Sequence, residues 1–292
     1  MTAAGETGAG DPAPAPVPPP EPLPAPALDS HCHLDLIETP VAEVLAAAQV
    51  AGITRVVTIG TDLASSRWAA RCAAGHAGPP EAAGLAEVYA AVAVHPNETT
   101  AAASSPAERE LVLAQIRELA ALPRVRAVGE TGLDYYRDYA SPAVQRDWFR
   151  AHIAIAKRAG KALVIHDRDA HEDVLAILED EGPPEKVIFH CFSGDAGMAK
   201  RCADAGYVMS FAGNITFKNV QPLREAAAAA PDGLVLVETD APFLTPVPQR
   251  GKPNSPALVA HTIRALAEIR QTPVADLCAQ LTATGERMFG PW

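Results

Sequence analysis

The sequence has few aromatic residues, no long apolar run and no excess of basic charge. Aromatic residues make up 5% of the 292-residue chain, so small aliphatic side chains must build most of the core. No apolar run approaches the ~18 residues that a membrane-spanning helix needs. The N-terminus also lacks a basic stretch followed by a long apolar segment. We therefore expect no membrane association and no secretory signal.

The charge and the cysteines narrow the expected partners and location. The formal net charge is −11 at pH 7, whereas proteins that wrap duplex DNA are usually basic. Any contact with nucleic acid should therefore be local or mediated by metal. The five cysteines are an odd number, irregularly spaced and without a CxxC pair. This pattern favours reduced thiols in a cytoplasmic protein.

Proline divides the chain into two unequal parts. Residues 1–27 contain nine prolines and mostly Ala and Gly besides. Such a segment buries too little apolar surface to offset its ordering entropy, so we expect a disordered tail that contributes neither to the fold nor to catalysis. A proline-rich docking tract is the alternative. Residues 28–292 contain no comparable break and are expected to form one domain.

Short β-rich runs alternate with Ala-rich helical runs through this domain. Eight strands are predicted, at 28–33, 55–60, 88–95, 125–130, 162–166, 187–192, 207–211 and 234–240. Helices are predicted at 40–51, 62–74, 106–122, 142–159, 170–181, 195–205, 219–229, 255–270 and 273–288. Eight strand–helix units in about 265 residues match a (β/α)8 TIM barrel. An open doubly wound sheet is the alternative, although no GxGxxG motif follows the first strand.

Residues that bind metals collect at one edge of these strands. They lie at or just beyond the C-terminal ends of six predicted strands: His31, His33, His95, Glu130, His166, His190 and Asp240. In a barrel this is the face that carries active sites. Their concentration there predicts a metal centre rather than scattered structural histidines.

Local spacing supports the same interpretation. His31 and His33 are two residues apart on a strand, so both imidazoles should face the same side. Glu130 lies between Gly129 and Gly132, which permit close backbone approach, and its two oxygens are suited to bridging two cations. Histidines with carboxylates suit zinc, manganese, magnesium or iron, and the ligand types do not choose among them.

An ordered set of motifs resembles the TatD-type metal-dependent deoxyribonucleases, which belong to the amidohydrolase-like barrels. The matching segments follow one another through the domain, at residues 29–35, 94–96, 129–136, 165–170, 190–194, 213–219, 238–244 and 250–254. One departure is Asn97, which stands where many relatives have a second histidine after His-Pro. The proline-rich tail is not part of the pattern.

The resemblance implies a two-metal hydrolase that cleaves DNA. One divalent ion (Mg²⁺, Mn²⁺ or Zn²⁺) would be held by His31, His33, Glu130 and Asp240, and a second by Glu130, His166 and His190. Asp240 would orient the attacking water or accept its proton. The resemblance also suggests 3′-to-5′ exonuclease activity on single-stranded or otherwise accessible ends.

Several residues are candidates for contact with the substrate. They are His95, Arg168, Lys218 and Asn254, with Arg250 and Lys252 as weaker ones. The alternative for the cations is an ordinary surface charge, and for Asn254 a role in holding its loop. Tyr135 and Tyr136 either stack on a nucleobase or pack against the fold.

Other functions remain open at this point. The same barrel can hydrolyse another ester, lactone or amide, including the aminoacyl ester of a charged tRNA. A non-catalytic metal-binding scaffold belongs to a different class, and the complete ligand motifs speak against it. We expect a monomer with no obligate protein partner.

Overall fold

The computed structural model describes residues 18–76 and 84–291. Residues 1–17, the larger part of the predicted tail, therefore lie outside the described residues. Eight parallel strands form one sheet in chain order. The strands are β1 Ala27–Cys32, β2 Ile53–Ile59, β3 Glu87–Val92, β4 Val125–Asp134, β5 Ala162–Arg168, β6 Val187–Phe189, β7 Val208–Phe211 and β8 Val235–Val237.

Helices connect the strands and surround the sheet. Within the described residues they are α1 Val41–Val50, α2 Leu63–Gly75, α3 Thr99–Ala102, α4 Pro106–Ala120, α5 Pro142–Ala159, α6 His171–Glu181, α7 Ala196–Asp204, α8 Gln221–Ala229, α9 Val259–Arg270 and α10 Val274–Phe289. The predicted start of α5 is confirmed, because the Ser141 hydroxyl accepts from the Val144 backbone N–H and Pro142 occupies the first turn. The predicted helix from 255 instead begins as a 3-10 turn, Pro256–Leu258.

The two ends of the sheet meet, which confirms the (β/α)8 TIM barrel and excludes the open sheet. The Asp240 N–H donates to the His31 carbonyl (2.9 Å), and the His33 N–H donates to the Ala241 carbonyl (2.8 Å). Cys32 and Ala241 form a parallel bridge. The seam between the first and last strands therefore closes just beyond β8, beside residues predicted to bind metal.

Small aliphatic side chains fill the barrel, as the composition predicts. Every residue of β3, including Tyr89, is buried. The parallel strands are covered on both faces, which explains their nearly continuous apolar runs. All five cysteines are free thiols. In the described part of the chain, no helix combines the length and apolarity needed to cross a bilayer.

The residues just before the predicted boundary at residue 27 lie against the barrel. Leu23 is only 8% exposed, and its backbone N–H donates to the Ala51 carbonyl (3.0 Å). The Arg264 guanidinium and the Thr282 hydroxyl donate to the carbonyls of Pro22 and Pro26, each at 3.1 Å. The last residues of the proline-rich segment therefore pack on the barrel, because one leucine among the prolines supplies an apolar anchor.

We expect a chain that begins at Ala27 to melt at a lower temperature than one that begins at residue 18. Burial of one leucine contributes about 1.5–3 kcal/mol, which corresponds to roughly 3–12 °C for a domain of this size. Leu23→Ala in the longer chain should lose a large part of the same amount, whereas Leu122→Ala, at an exposed position, should not. Calorimetry of the variants checks this, and equal melting temperatures would show that the packed segment adds no stability.

Candidate metal centre

The structure brings all six predicted metal ligands and His95 together at the C-terminal mouth of the barrel. His31 lies in β1 and His33 just after it, Glu130 lies in β4, and His166 lies in β5. His190 follows β6 directly, and Asp240 lies three residues after β8. The ring planes of His31 and His190 stack with their centroids 3.9 Å apart. Residues separated by up to 209 positions therefore share one small volume.

The Glu130 carboxylate divides this volume into two clusters. We call His31, His33, Asp240 and Glu130 Oε2 the first cluster; Oε2 lies 3.5 Å from His31 Nε2 and 3.8 Å from His33 Nε2. We call His166, His190 and Glu130 Oε1 the second cluster; Oε1 lies 2.7 Å from both His166 Nδ1 and His190 Nε2. One carboxylate thus faces a separate group of histidines with each oxygen.

The first cluster has the spacing and chemistry of a metal site. Asp240 Oδ1 lies 3.7 Å from His31 Nε2 and 3.5 Å from His33 Nε2, too far for hydrogen bonds. Ligands about 2.1 Å from a tetrahedral ion are roughly 3.4 Å apart. Both ring nitrogens of the fully buried His31 lack a hydrogen-bond partner among the described residues. A cation between these side chains would supply the missing partner of His31 Nε2, the nitrogen that faces Glu130 and Asp240, so these residues fit a metal ion.

Two glycines allow Glu130 to reach this position. A Cβ atom on Gly129 would lie 2.6 Å from the Val164 Cβ, and one on Gly132 would lie 2.1 Å from the His166 carbonyl oxygen. Gly132 also has a φ of +128°. The pairing of β4 with β5 shifts in register between Val128 and Thr131. The close approach expected from the sequence is therefore present, and it brings β4 against the strand that carries His166.

Two further carboxylates orient the histidines of the second cluster. Asp134 Oδ2 accepts from His166 Nε2 (3.2 Å), which leaves Nδ1 facing Glu130. Glu238 Oε1 accepts from His190 Nδ1 (3.0 Å), which leaves His190 Nε2 facing Glu130 Oε1. Such partners fix the ring orientation of metal-bound histidines and increase their basicity. Both acids lie within the motif segments 129–136 and 238–244. The sequence does not predict them as site residues, because it does not show which carboxylate meets which histidine.

A third buried acid shapes the loop that carries Asp240. Asp29 accepts from the Thr239 backbone N–H (2.9 Å) and from the Thr239 hydroxyl (2.5 Å). Burial raises the pKa of Asp29 to about 8, although these hydrogen bonds oppose the rise. Asp29 thus ties β1 to the residue directly before Asp240.

The electrostatics of the centre favour positive charge. Burial opposes ionisation of Glu130, but the charges of His190 and His95 and the hydrogen bonds from the second cluster outweigh it, and its pKa lies well below the usual range. Burial alone would lower the pKa of His190, yet Glu130 and Glu238 on either side raise it well above the ordinary value. A site that draws a proton onto a buried imidazole also attracts a cation.

His95 borders the second cluster with a defined tautomer. Its Nδ1 accepts from the Asn97 backbone N–H (3.1 Å), so the neutral ring carries its proton on Nε2. That Nε2 lies 3.5 Å from Glu130 Oε1. His95 therefore presents a hydrogen-bond donor to the mouth, consistent with the predicted contact to substrate. The Asn97 side chain, which stands where many relatives have a histidine, donates to Asp134 Oδ2 (2.9 Å). Asn97 therefore helps to hold the carboxylate that orients His166.

The other predicted contacts differ in their surroundings. Arg168 is half-buried, with its guanidinium carbon 3.8 Å from the centre of the Tyr136 ring. Lys218 is exposed on the loop after β7. Asn254 is only 2% exposed, and its amide donates to the carbonyls of Thr239 (3.0 Å) and Phe243. The structure thus places Asn254 where it holds its loop, and not at the surface of the mouth.

Comparison with known proteins gives the family of this chain. The sequence model of the family described as "TatD related DNase" matches residues 28–290. An uncharacterized metal-dependent hydrolase, TatD of Mycobacterium tuberculosis, is 43% identical over 90% of this chain and 97% of its own length. The uncharacterized metal-dependent hydrolase YabD of Bacillus subtilis is 36% identical over 89% and 98%.

Solved structures show the same fold. The TatD homologue YJJV of Escherichia coli has a TM-score of 0.80 at 24% identity, covering 91% of this chain and 98% of its own. A TatD-family hydrolase of Entamoeba histolytica has a TM-score of 0.76 at 16% identity, covering 92% and 99%. The family match, the relatives and the carboxylate-centred histidine clusters together identify the chain as a metal-dependent hydrolase of the TatD family.

Proposed function

We propose that this protein hydrolyses phosphodiester bonds in DNA and removes nucleotides from 3′ ends that are single-stranded or otherwise accessible. The observation that carries the proposal is the position of Glu130, whose two oxygens face two separate ligand clusters. A shared carboxylate between two ligand groups is suited to holding two ions. Two-metal sites are common in nucleases and phosphatases.

The residues divide the binding of the ions between them. His31, His33 and Asp240 would hold one ion, His166 and His190 the other, and Glu130 both. Two divalent cations of this kind (Mg²⁺, Mn²⁺ or Zn²⁺) generate a nucleophile from water and stabilise both the attacking and the leaving oxygen.

Asp240 is the acid best placed to accept a proton from water. Its side chain is 15% exposed, against 5% for Glu130 and 0% for Glu238. Glu238 is committed to His190 and to the Cys191 backbone N–H. His95 Nε2, which lies 3.5 Å from Glu130 Oε1, can donate its proton in a hydrogen bond to a phosphoryl oxygen. The base and the donor thus come from different strands, as in other barrel enzymes.

The choice of DNA rests on the family description and on local charge. The matching family is described as "TatD related DNase". Arg168 is the last residue of β5, and Lys218 and Arg250 lie on the loops after β7 and β8. At these positions they can contact phosphates although the chain as a whole is acidic. A chain end enters a concave mouth more readily than the middle of a rigid duplex does. These features support an exonuclease of accessible ends.

We expect chelation to abolish hydrolysis and readdition of Mg²⁺, Mn²⁺ or Zn²⁺ to restore it. The assay compares single-stranded DNA, duplex DNA, RNA, an aminoacyl-tRNA and a simple lactone, so that the alternative ester and amide substrates are tested in parallel. DNA should be hydrolysed fastest. Full activity in protein that elemental analysis shows to be metal-free would contradict the metal requirement, and a preference for the lactone or the aminoacyl ester would contradict the proposed substrate.

Substitutions of Glu130 and Asp240 should separate their roles. Glu130→Gln should weaken binding at both clusters, because a neutral amide does not supply two anionic oxygens. Asp240→Asn should retain much of the metal but slow the chemical step by at least about 10²–10⁴-fold, the usual contribution of a general base. Metal stoichiometry and single-turnover rates distinguish the two. Near-normal turnover by Asp240→Asn would show that Asp240 is not the general base. Tight binding of two ions by Glu130→Gln would show that Glu130 does not bridge them.

Glu238→Gln should weaken metal binding at the second cluster, because His190 loses its charged partner. Loss of such a partner typically costs about 10–100-fold in metal affinity or activity. Glu87→Gln is the matched control, since Glu87 is also a buried acid but pairs with Arg124 (2.6 Å), away from both clusters. Metal titration by calorimetry measures the effect. Equal affinities in Glu238→Gln and the wild type would show that the pairing does not tune the site.

A further inference from the structure

The exposed aromatic side chains are concentrated around the mouth of the barrel. Three exposed aromatic residues occur among the described residues, Tyr136 (58%), Tyr139 (63%) and Phe243 (53%). Tyr136 and Tyr139 lie on the loop after β4, the strand that contains Glu130. Phe243 lies on the loop after β8, which also carries Asp240. Phe243 contacts the first cluster, with its ring centre 6.2 Å from that of His33. Apolar rings exposed beside a charged metal centre are typical of a binding surface.

Tyr136 differs from its neighbour in the sequence. The Tyr135 hydroxyl donates to Asp173 (2.6 Å) and accepts from Arg146 Nε (2.9 Å), so this residue ties the loop to the outer helices. The Tyr136 ring is exposed and lies against two cations, with the guanidinium carbons of Arg168 and Arg137 at 3.8 and 5.5 Å from its centre. The two alternatives drawn from the sequence thus apply to different tyrosines: Tyr135 packs, and Tyr136 is available.

Asp134 fixes Tyr136 relative to the metal ligands. Its Oδ1 accepts from the backbone N–H groups of Tyr136 (3.0 Å) and Arg137 (2.9 Å), while its Oδ2 accepts from His166 Nε2 (3.2 Å). The carboxylate is buried. One side chain therefore holds both a ligand of the second cluster and the loop that presents the aromatic ring. The backbone of Tyr136 is thereby held next to the residues of the second cluster.

We propose that Tyr136 and Arg168 form a stacking platform for an unpaired nucleobase next to the scissile phosphodiester. This inference rests on the proposed function and specifies its substrate as a strand whose terminal bases are free. Base–aromatic stacking is tolerant of sequence, and an adjacent guanidinium adds to it. Within a duplex both faces of a base are covered by neighbouring bases, so the platform selects single strands and frayed ends.

Binding can be measured without turnover. A single-stranded DNA oligonucleotide with 2-aminopurine near its 3′ end is titrated with wild-type protein in EDTA, because stacking on an aromatic ring quenches this base. Tyr136→Ala should reduce the quench and raise Kd about 5- to 150-fold, as expected for one stacked base. Tyr136→Trp should preserve both the quench and the Kd of the wild type. Leu111→Ala is the control, an exposed apolar residue (65%) on the outer helix α4, and should bind like the wild type.

A kinetic comparison separates this inference from the proposed function. In metal-loaded protein, Tyr136→Ala should raise KM for a base-bearing oligonucleotide much more than for one that is abasic at the terminal positions, with kcat nearly unchanged. Equal Kd, quench and KM in Tyr136→Ala and the wild type, in a protein that does hydrolyse DNA, would overturn the platform. Quenching that depends on Tyr136 in a protein that hydrolyses no DNA would support the platform and refute the proposed function.

Discussion

The burial of the Glu130 carboxylate among imidazoles is the constraint on which the rest of the site depends. A lone carboxylate in the interior of a barrel is strongly disfavoured, and it persists only when several partners compensate its charge. Here five histidines face its two oxygens: His31, His33, His95, His166 and His190. Two of these histidines are held by further acids, His166 by Asp134 and His190 by Glu238. The result is a network of buried acids and histidines, in which each group compensates the charge of its neighbour. The network extends from Glu130 to the loops at the mouth.

This network accounts for the irregular parts of the strands. The β6 ladder ends at Phe189, so that His190 turns toward Glu130 and Cys191 adopts a φ of +41°. The β8 ladder ends at Val237, and Asp240 has a φ of +53°. Non-glycine residues with positive φ are uncommon and tend to cluster at functional sites. The backbone thus departs from regular strand structure at the residues that present a ligand or follow one directly.

The sequence predicts the barrel and the ligand set because both depend on local patterns. Eight apolar runs, each followed by a helical segment, specify the strands, and ligand residues at strand ends specify the face. Strand ends at β6 and β8 were predicted too long, because apolar residues such as Phe192 remain buried after the ladder has ended. The pairs His166–Asp134 and His190–Glu238 join residues 32 and 48 positions apart. No periodicity reveals such pairs, nor does proline content reveal the anchor at Leu23.

The closure of the barrel has a consequence for synthesis of the chain. The first cluster combines His31 and His33 from the first strand with Asp240 beyond the last, and the hydrogen bonds that join these segments also complete the seam. A nascent chain that has not yet been synthesised as far as residue 240 therefore lacks a complete first cluster, whatever part of the barrel has already folded. The complete ligand set therefore assembles only after the final strand, β8, and the residues that follow it have been synthesised.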